Sequence, residues 1–434
     1  MSLILINILR QLTKLIIWRF QPDIIAITGS VGKTSAKEAI FAVLKDKRRV
    51  RRSISGLNTE IGLPFSIIGD EKDFPEEKLK LVAPNSFFVG SEMKNRMISK
   101  LFFWLRVLFL AFYRIIFWRK SQYPEILILE YGVEYPGDTS ALLEIARPKR
   151  GVITAIGDIP AHIEFFSDSE AIAKEKAKLI ESLWVGGFAV LNFDDKKVAA
   201  LQERTRAKIM SFGFRGNSDV KILGLEKNFE NNGQFGISFK FEYEGSFVPV
   251  YLNGIIGASH VYAAASGVSI GLIYGLNLVE AAEAFSLNYK PLKGRMNLLS
   301  GKKNIHIIDD SYNASPLSMR MALQTLEEIN NFRKVAVLGD MLELGVFSKE
   351  AHRGIGKIVA GIADILITVG QSAKIIAEEA KKSGFKENDI FIFNSADEAL
   401  KSIDAIIQKN DIVLIKASRA IGLNKIVDYL SRGF

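Results

Sequence analysis

The chain has 434 residues, 48% of them hydrophobic, enough to bury the cores of two or three domains. It has no cysteine, which excludes disulfides and thiolate metal sites and leaves oxygen or imidazole to hold any metal. The net charge of +9 sits at the front, with 21 Lys and Arg against 10 Asp and Glu in residues 1–120 and 36 against 38 in the rest; no nucleic-acid motif accompanies it, so an anionic membrane surface is the expected partner rather than nucleic acid.

In chain order, residues 3–18, "LILINILRQLTKLIIW", predict a short amphipathic helix with Arg10 and Lys14 four apart. A secretory signal would place its charge before the apolar run and a small-residue cleavage site after it, and neither is present. The run "LFFWLRVLFLAFYRIIFW" at 101–118 approaches the length of a bilayer span, but Arg106 and Arg114 interrupt it. The expected arrangement is a helix lying in a membrane interface or packed on the protein. Three of the four tryptophans, Trp18, Trp104 and Trp118, fall in this front region, each close to an arginine.

From Ile24 onward, short β-branched runs alternate with helical stretches, the pattern of a parallel sheet covered on both faces. The runs include "IIAIT" (24–28), "EILILE" (125–130), "RGVITAI" (150–156) and "GFAVLN" (187–192). Residues 219–256 alternate and are punctuated by glycine, predicting a small antiparallel patch, with a helix at about 259–274 after it. After "KPLKGRM" (290–296) a second series begins with "NIHIIDD", "KVAVLGD", "DILITVG" and "DIVLIKAS". The fold class is therefore α/β. A helix at 1–20 precedes a central domain at 21–291, which holds an apolar insertion at about 70–124, and a Rossmann-like α/β domain follows at 292–434.

The segment "IIAITGSVGKTSAKEAI" (24–40) reads as strand, glycine turn and helix. It is a P-loop shortened by one glycine, since Ile27 stands where the first glycine of G-x-x-x-x-G-K-[ST] belongs. The loop residues Gly29, Ser30, Val31, Gly32, Lys33, Thr34 and Ser35 are the expected nucleotide contacts. The backbone N–H groups of Ser30 to Lys33 form the expected nest, with Lys33 reaching the β and γ phosphates and the Thr34 hydroxyl on Mg²⁺. A glycine turn that binds nothing is the bland alternative, and the order of strand, turn, Lys33, Thr34 and helix argues against it.

A shortened T-G-S-x-G-K-T loop resembles that of the Mur ligases, ATP-dependent amide-forming enzymes of peptidoglycan synthesis. Matching segments follow in order: "GLNTEIGLP" (56–64), "ILEYGVEYPGDTSALLEIARPKRGVIT" (128–154), "AHIEFFSDSEAIAKEKAKLIESL" (161–183), "LKGRMNLL" (292–299), "DDSYNASPLSMRMAL" (309–323), "LGDMLELG" (338–345) and "KASRAIGLNKIV" (416–427). The later segments are similar to the type that adds D-alanyl-D-alanine, the MurF type.

The resemblance implies an acid–amino-acid ligase of the EC 6.3.2 type with ATP and two Mg²⁺ ions. It implies Thr34 and Glu130 on the first ion, His162 on the second, and Lys176 as a carbamylated, metal-bridging lysine. Arg295 matches an arginine on the γ-phosphate, Asp310 an aspartate on the ribose, and Asn313 a residue beside the nucleotide. Asn58, Lys416, Ser418 and Arg419 match substrate-binding positions. Taken singly, His162 reads as a surface histidine, Lys176 as a solvated helix face, and Asp309 with Asp310 as an ordinary strand end. The implied substrates are a UDP-muramoyl-tripeptide and D-alanyl-D-alanine, in the cytoplasm.

Three segments depart from the family pattern. Only about two dozen residues precede the loop, where a UDP-sugar domain is usual; the apolar stretch at 70–124 is inserted; and "GASHVYAAAS" (257–266) replaces the H-N-x-x-N run. His260 is then expected either on the adenine or packed within the helix. Residues 1–20 and 101–118 are expected either at the inner membrane face or packed against each other or a partner subunit. A Mur-type ligase with a folylpolyglutamate-like or cyanophycin-like acceptor is the rival enzyme, and "DDSYNASPLSM" and "LGDMLELG" argue against it. A non-catalytic, membrane-bound nucleotide-binding scaffold is the rival of another class.

Overall fold

The computed structural model describes residues 3–75, 93–229 and 235–431, and the part of the expected insertion at 76–92 lies outside them. The first sheet is built from β1 (Asp23–Thr28), β2 (Val50–Arg52), β3 (Ile126–Glu130), β4 (Arg150–Ile153), β5 (Phe188–Asn192), β6 (Lys208–Gly213), β7 (Val220–Phe229), β8 (Phe235–Tyr243) and β9 (Ser246–Asn253). Their spatial order is β2-β3-β1-β4-β5-β6-β7-β8-β9. Pairing is parallel from β2 through β7 and antiparallel among β7, β8 and β9. The expected antiparallel patch is present and continues the large sheet, because Phe212 and Gly213 pair with Val220 and Lys221 and join β7 to β6.

β1 and β3 are apolar on both faces because both faces are covered. On one side Ile25, Ile27, Ile126 and Ile128 pack with helices Lys33–Leu44 and Ala258–Ile273. On the other, Ile24, Ala26, Leu127 and Leu129 meet Leu9, Leu12, Ile16 and Phe20 of helix Leu3–Phe20, and Phe103, Val107 and Ala111 of helix Met93–Phe117. The two front helices therefore supply the missing layer of the sandwich. No described helix is long and apolar enough to cross a membrane.

The second sheet holds β10 (Asn297–Gly301), β11 (Ile305–Asp309), β12 (Lys334–Gly339), β13 (Ile365–Val369), β14 (Ile390–Phe393) and β15 (Ile412–Lys416) in the order β10-β11-β15-β12-β13-β14. Only β10 runs antiparallel to its neighbour. In each sheet the strand order reverses beside a central strand, β1 in the first and β15 in the second. Ligands of open α/β sheets bind where the carboxyl ends of strands diverge in this way.

Candidate active site

The chain leaves the carboxyl end of β1 into the loop Gly29–Gly32 and enters the helix at Lys33. Gly29 (φ +146°) lies so close to β4 that a Cβ there would sit 2.1 Å from Thr154 Oγ1, and Gly32 (φ +89°) occupies the left-handed region just before the helix. The Ser30 and Val31 N–H groups donate to the Ala155 carbonyl at 2.6 and 3.3 Å. The expected nest is accordingly narrower than Ser30 to Lys33, because Ala155, just past the end of β4, takes up its first two donors. What remains is the helix N-terminus, where no side chain caps the orphan N–H groups. Lys33 Nζ lies within the loop's curve and donates to the Gly29 carbonyl at 2.6 Å.

Thr34 Oγ1 lies 3.0 Å from Glu130 Oε2 and 3.2 Å from Oε1. Register brings them together: Ile27 of β1 pairs with Glu130 of β3, so the strand end carrying the carboxylate stands beside the turn. The Glu130 N–H donates to Ser53 Oγ at 3.1 Å, and Lys37 Nζ is 3.9 Å from its carboxylate. Burial alone would raise the Glu130 carboxyl, but the charges of Lys37, Lys33 and Arg295 outweigh it and hold the group below the ordinary carboxylate range. Burial lowers Lys33, against the pull of Glu130. A hydroxyl and an ionised carboxylate this close are hard oxygen donors of the kind that would hold a Mg²⁺ ion. Among the described residues no cluster of three or more His, Asp or Glu could hold an ion alone.

Lys176 is 1% exposed. Burial and then the charge of Lys33 hold its amine well below the ordinary lysine range. His162, in the left-handed region (φ +65°), stands with its Nδ1 2.6 Å from Glu343 Oε2 of the C-terminal domain. The expected metal groups are thus brought together only in part: Thr34 and Glu130 touch, Lys176 lies near Lys33, and His162 faces Glu343. Asn58 covers the turn after Glu130, with its carbonyl accepting from the Gly132 N–H at 2.8 Å.

Of the two placements expected for His260, the structure shows the packed one. Its ring is 1% exposed, with Nδ1 2.8 Å from the Tyr289 hydroxyl and Nε2 3.2 Å from the Met296 carbonyl, and burial pulls its pKa down to about 4. Neither ring nitrogen is left for an adenine, so the residue packs the helix rather than binding nucleotide.

From the second domain, the Arg295 guanidinium lies 4.1 Å from the Tyr312 ring centroid, and Arg419 lies 5.5 Å from the same ring. Asp310 Oδ2 accepts from Lys416 Nζ at 2.6 Å, which also donates to the Asn313 carbonyl at 2.9 Å. Ser418 Oγ accepts from the Leu342 N–H at 2.9 Å. Sequence reasoning missed Lys37, although it follows Lys33 by one helical turn. It also passed over Tyr312, inside a segment it had singled out. Thr154 and Glu343 likewise lie inside matching segments and Ser53 outside them, and the roles of all three come from tertiary contact that no local pattern marks.

A family model for the Mur ligase middle domain matches residues 113–265, and one for the Mur ligase glutamate ligase domain matches residues 294–419. The chain belongs to the Mur ligase family. A Bacillus subtilis protein named UDP-N-acetylmuramoyl-tripeptide--D-alanyl-D-alanine ligase is 27% identical to this Mur ligase over 424 residues, 96% of this chain and 78% of that one. A Mycobacterium leprae protein of the same name is 28% identical over 431 residues, 94% and 73% of the two chains. Among solved structures, the MurF ligase of Thermotoga maritima in complex with ADP is 26% identical with a TM-score of 0.75, covering 98% of this chain and 83% of that one. A folylpolyglutamate synthase of Mycobacterium tuberculosis, 16% identical with a TM-score of 0.62 over 97% of this chain and 94% of that one, shares the fold.

Proposed function

We propose that this Mur ligase joins D-alanyl-D-alanine to the terminal carboxyl of a UDP-muramoyl-tripeptide, consuming ATP and releasing ADP and phosphate. The observation that carries the reading is the Thr34–Glu130 contact at the mouth of a lysine-bearing loop, in a chain that aligns over nearly its whole length with ligases of that name. Bound Mg²⁺ supplies charge neutralisation of the triphosphate. Thr34 and Glu130 would hold the first ion, and His162 with a carbamylated Lys176 would supply donors to a second.

Lys33 and Arg295 stabilise the charge that develops as a carboxylate oxygen of the tripeptide attacks the γ-phosphorus and the bond to ADP breaks. The dipeptide amine then attacks the acyl carbon, phosphate leaves with that oxygen, and the nitrogen loses a proton. Asp310 and Asn313 contact the nucleotide from the second domain, and Asn58, Lys416, Ser418 and Arg419 the substrates. Closure of that domain brings Arg295 to the phosphates.

Carbamylation of Lys176 has a physical basis. Burial and the neighbouring charge of Lys33 hold the amine well below the ordinary lysine range, which favours the unprotonated form that attacks CO₂, and the carbamate formed would offer oxygen donors to a metal ion. The enzyme works in the cytoplasm, in peripheral contact with the inner membrane face. Phosphate release from ATP in the presence of the UDP-muramoyl-tripeptide and D-alanyl-D-alanine tests the reading. Release should need both substrates and vanish in Lys33→Ala, whereas release indifferent to either substrate refutes it.

A further inference from the structure

We infer that the outward face of the helix pair Leu3–Phe20 and Met93–Phe117 docks on an anionic lipid surface, lying in the plane of the headgroups. This rests on the peripheral-contact part of the reading above and not on its chemistry. Phe102, Leu105, Phe109, Phe112, Ile116 and Phe117 recur at helical spacing and all are exposed, Phe109 and Phe117 at 67%. The helix is inverted relative to a surface helix of a globular protein, which turns charge outward. Here Arg114 points inward, 2.6 Å from Asp73 and 4.5 Å from the Trp118 ring, and Arg106 is the lone charge on the outward stripe among the described residues. The opposite side of the same helix already completes the core, so folding does not account for the aromatic stripe.

The two helices end together, since Arg19 donates to the Trp118 carbonyl at 3.1 Å. Trp18, 73% exposed, thereby stands with Arg19, Arg119 and Lys120 at one end of the pair, an aromatic and basic rim suited to headgroup level. Neither helix contains Asp or Glu, and with Arg114 turned onto Asp73 and Arg10 paired with Glu60, the exposed charges left on the pair and its rim among the described residues are Lys14, Arg19, Arg106, Arg119 and Lys120, all positive. That charge selects the occupant. A second copy of the chain on this face would oppose two positive surfaces, whereas an anionic bilayer neutralises one and receives the aromatic stripe at its interface.

The test is flotation of the full chain with vesicles of phosphatidylcholine alone, or mixed with phosphatidylglycerol, beside the double variant Phe109→Glu/Ile116→Glu. The intact chain should float with the mixed vesicles and bind on the order of tenfold more weakly to phosphatidylcholine alone or in raised salt. The double variant should lose on the order of tenfold or more in binding, yet keep its thermal midpoint and vesicle-free phosphate release, because both side chains lie in solvent. A chain that stays off the mixed vesicles, or a double variant that floats as well as the intact chain, overturns the inference. So does an intact chain that elutes as a dimer, which the double variant breaks, without binding lipid. A chain that ligates but does not float defeats this inference alone, and one that floats but does not ligate defeats the ligase reading alone.

Discussion

Asp310 Oδ2 and Lys416 Nζ lie 2.6 Å apart with the lysine almost fully buried, so one ion pair ties the ends of the adjacent strands β11 and β15. Removing one partner strands the other away from water. Lys416→Met should therefore destabilise the protein by about 3–5 kcal/mol in urea unfolding. The double variant Lys416→Met/Asp310→Asn should recover a measurable part of that loss. Additive losses would show that the pair carries no coupling.

Glu130→Gln keeps the side chain's volume and an acceptor for Thr34 but removes the charge that Lys33, Lys37 and Arg295 surround. Turnover should fall on the order of 10²-fold, and the Mg²⁺ concentration needed for half-maximal rate should rise. Titration of phosphate release with Mg²⁺ measures both. Thr34→Val should act in the same direction.

The strand, turn and helix of the loop were legible because the β-branched run, both glycines and Lys33–Thr34 are adjacent in sequence. Glu130 was legible only by resemblance, since its place beside Thr34 depends on the β1–β3 register, a pairing across about a hundred residues of chain that no local pattern encodes. His260 was open for a similar reason: a histidine on an apolar helix looks the same whether its partners are Tyr289 and Met296 or a ligand. The first front helix was legible as amphipathic and the second as an apolar run interrupted by Arg106 and Arg114, but the inward turn of Arg114 depends on Asp73, some forty residues away, and could not be read.

Lys176 yields a prediction about bicarbonate. With its amine held well below the ordinary lysine range by burial and by Lys33, enzyme depleted of CO₂ should lose activity and regain it on addition of bicarbonate. Lys176→Ala should lose on the order of 10²-fold in rate and recover in part with added acetate or formate. Isotope-labelled bicarbonate should give a carbamate carbon resonance that disappears in the variant. An undiminished rate in Lys176→Ala would remove the residue from the metal site.

His260 makes stability depend on pH in a defined window. Its folded pKa, about 4, lies below the ordinary 6.5, so between these values the unfolded chain binds a proton that the folded chain does not. Its contribution is full above pH 6.5 and is lost as pH falls toward 4, by roughly 3 kcal/mol. Urea unfolding of the wild type and His260→Gln across that range should give a difference that shrinks with falling pH. A difference independent of pH would mean that the histidine is already charged in the folded protein.

The central claim is that the loop hands the terminal phosphoryl group of ATP to a peptide carboxyl. It is tested most directly by labelling that carboxyl of the UDP-muramoyl-tripeptide with heavy oxygen and analysing the phosphate released during ligation to D-alanyl-D-alanine. The account predicts one labelled oxygen in each phosphate, because the carboxyl oxygen bound to phosphorus leaves with it when the amine attacks. Ligation that yields unlabelled phosphate would contradict it.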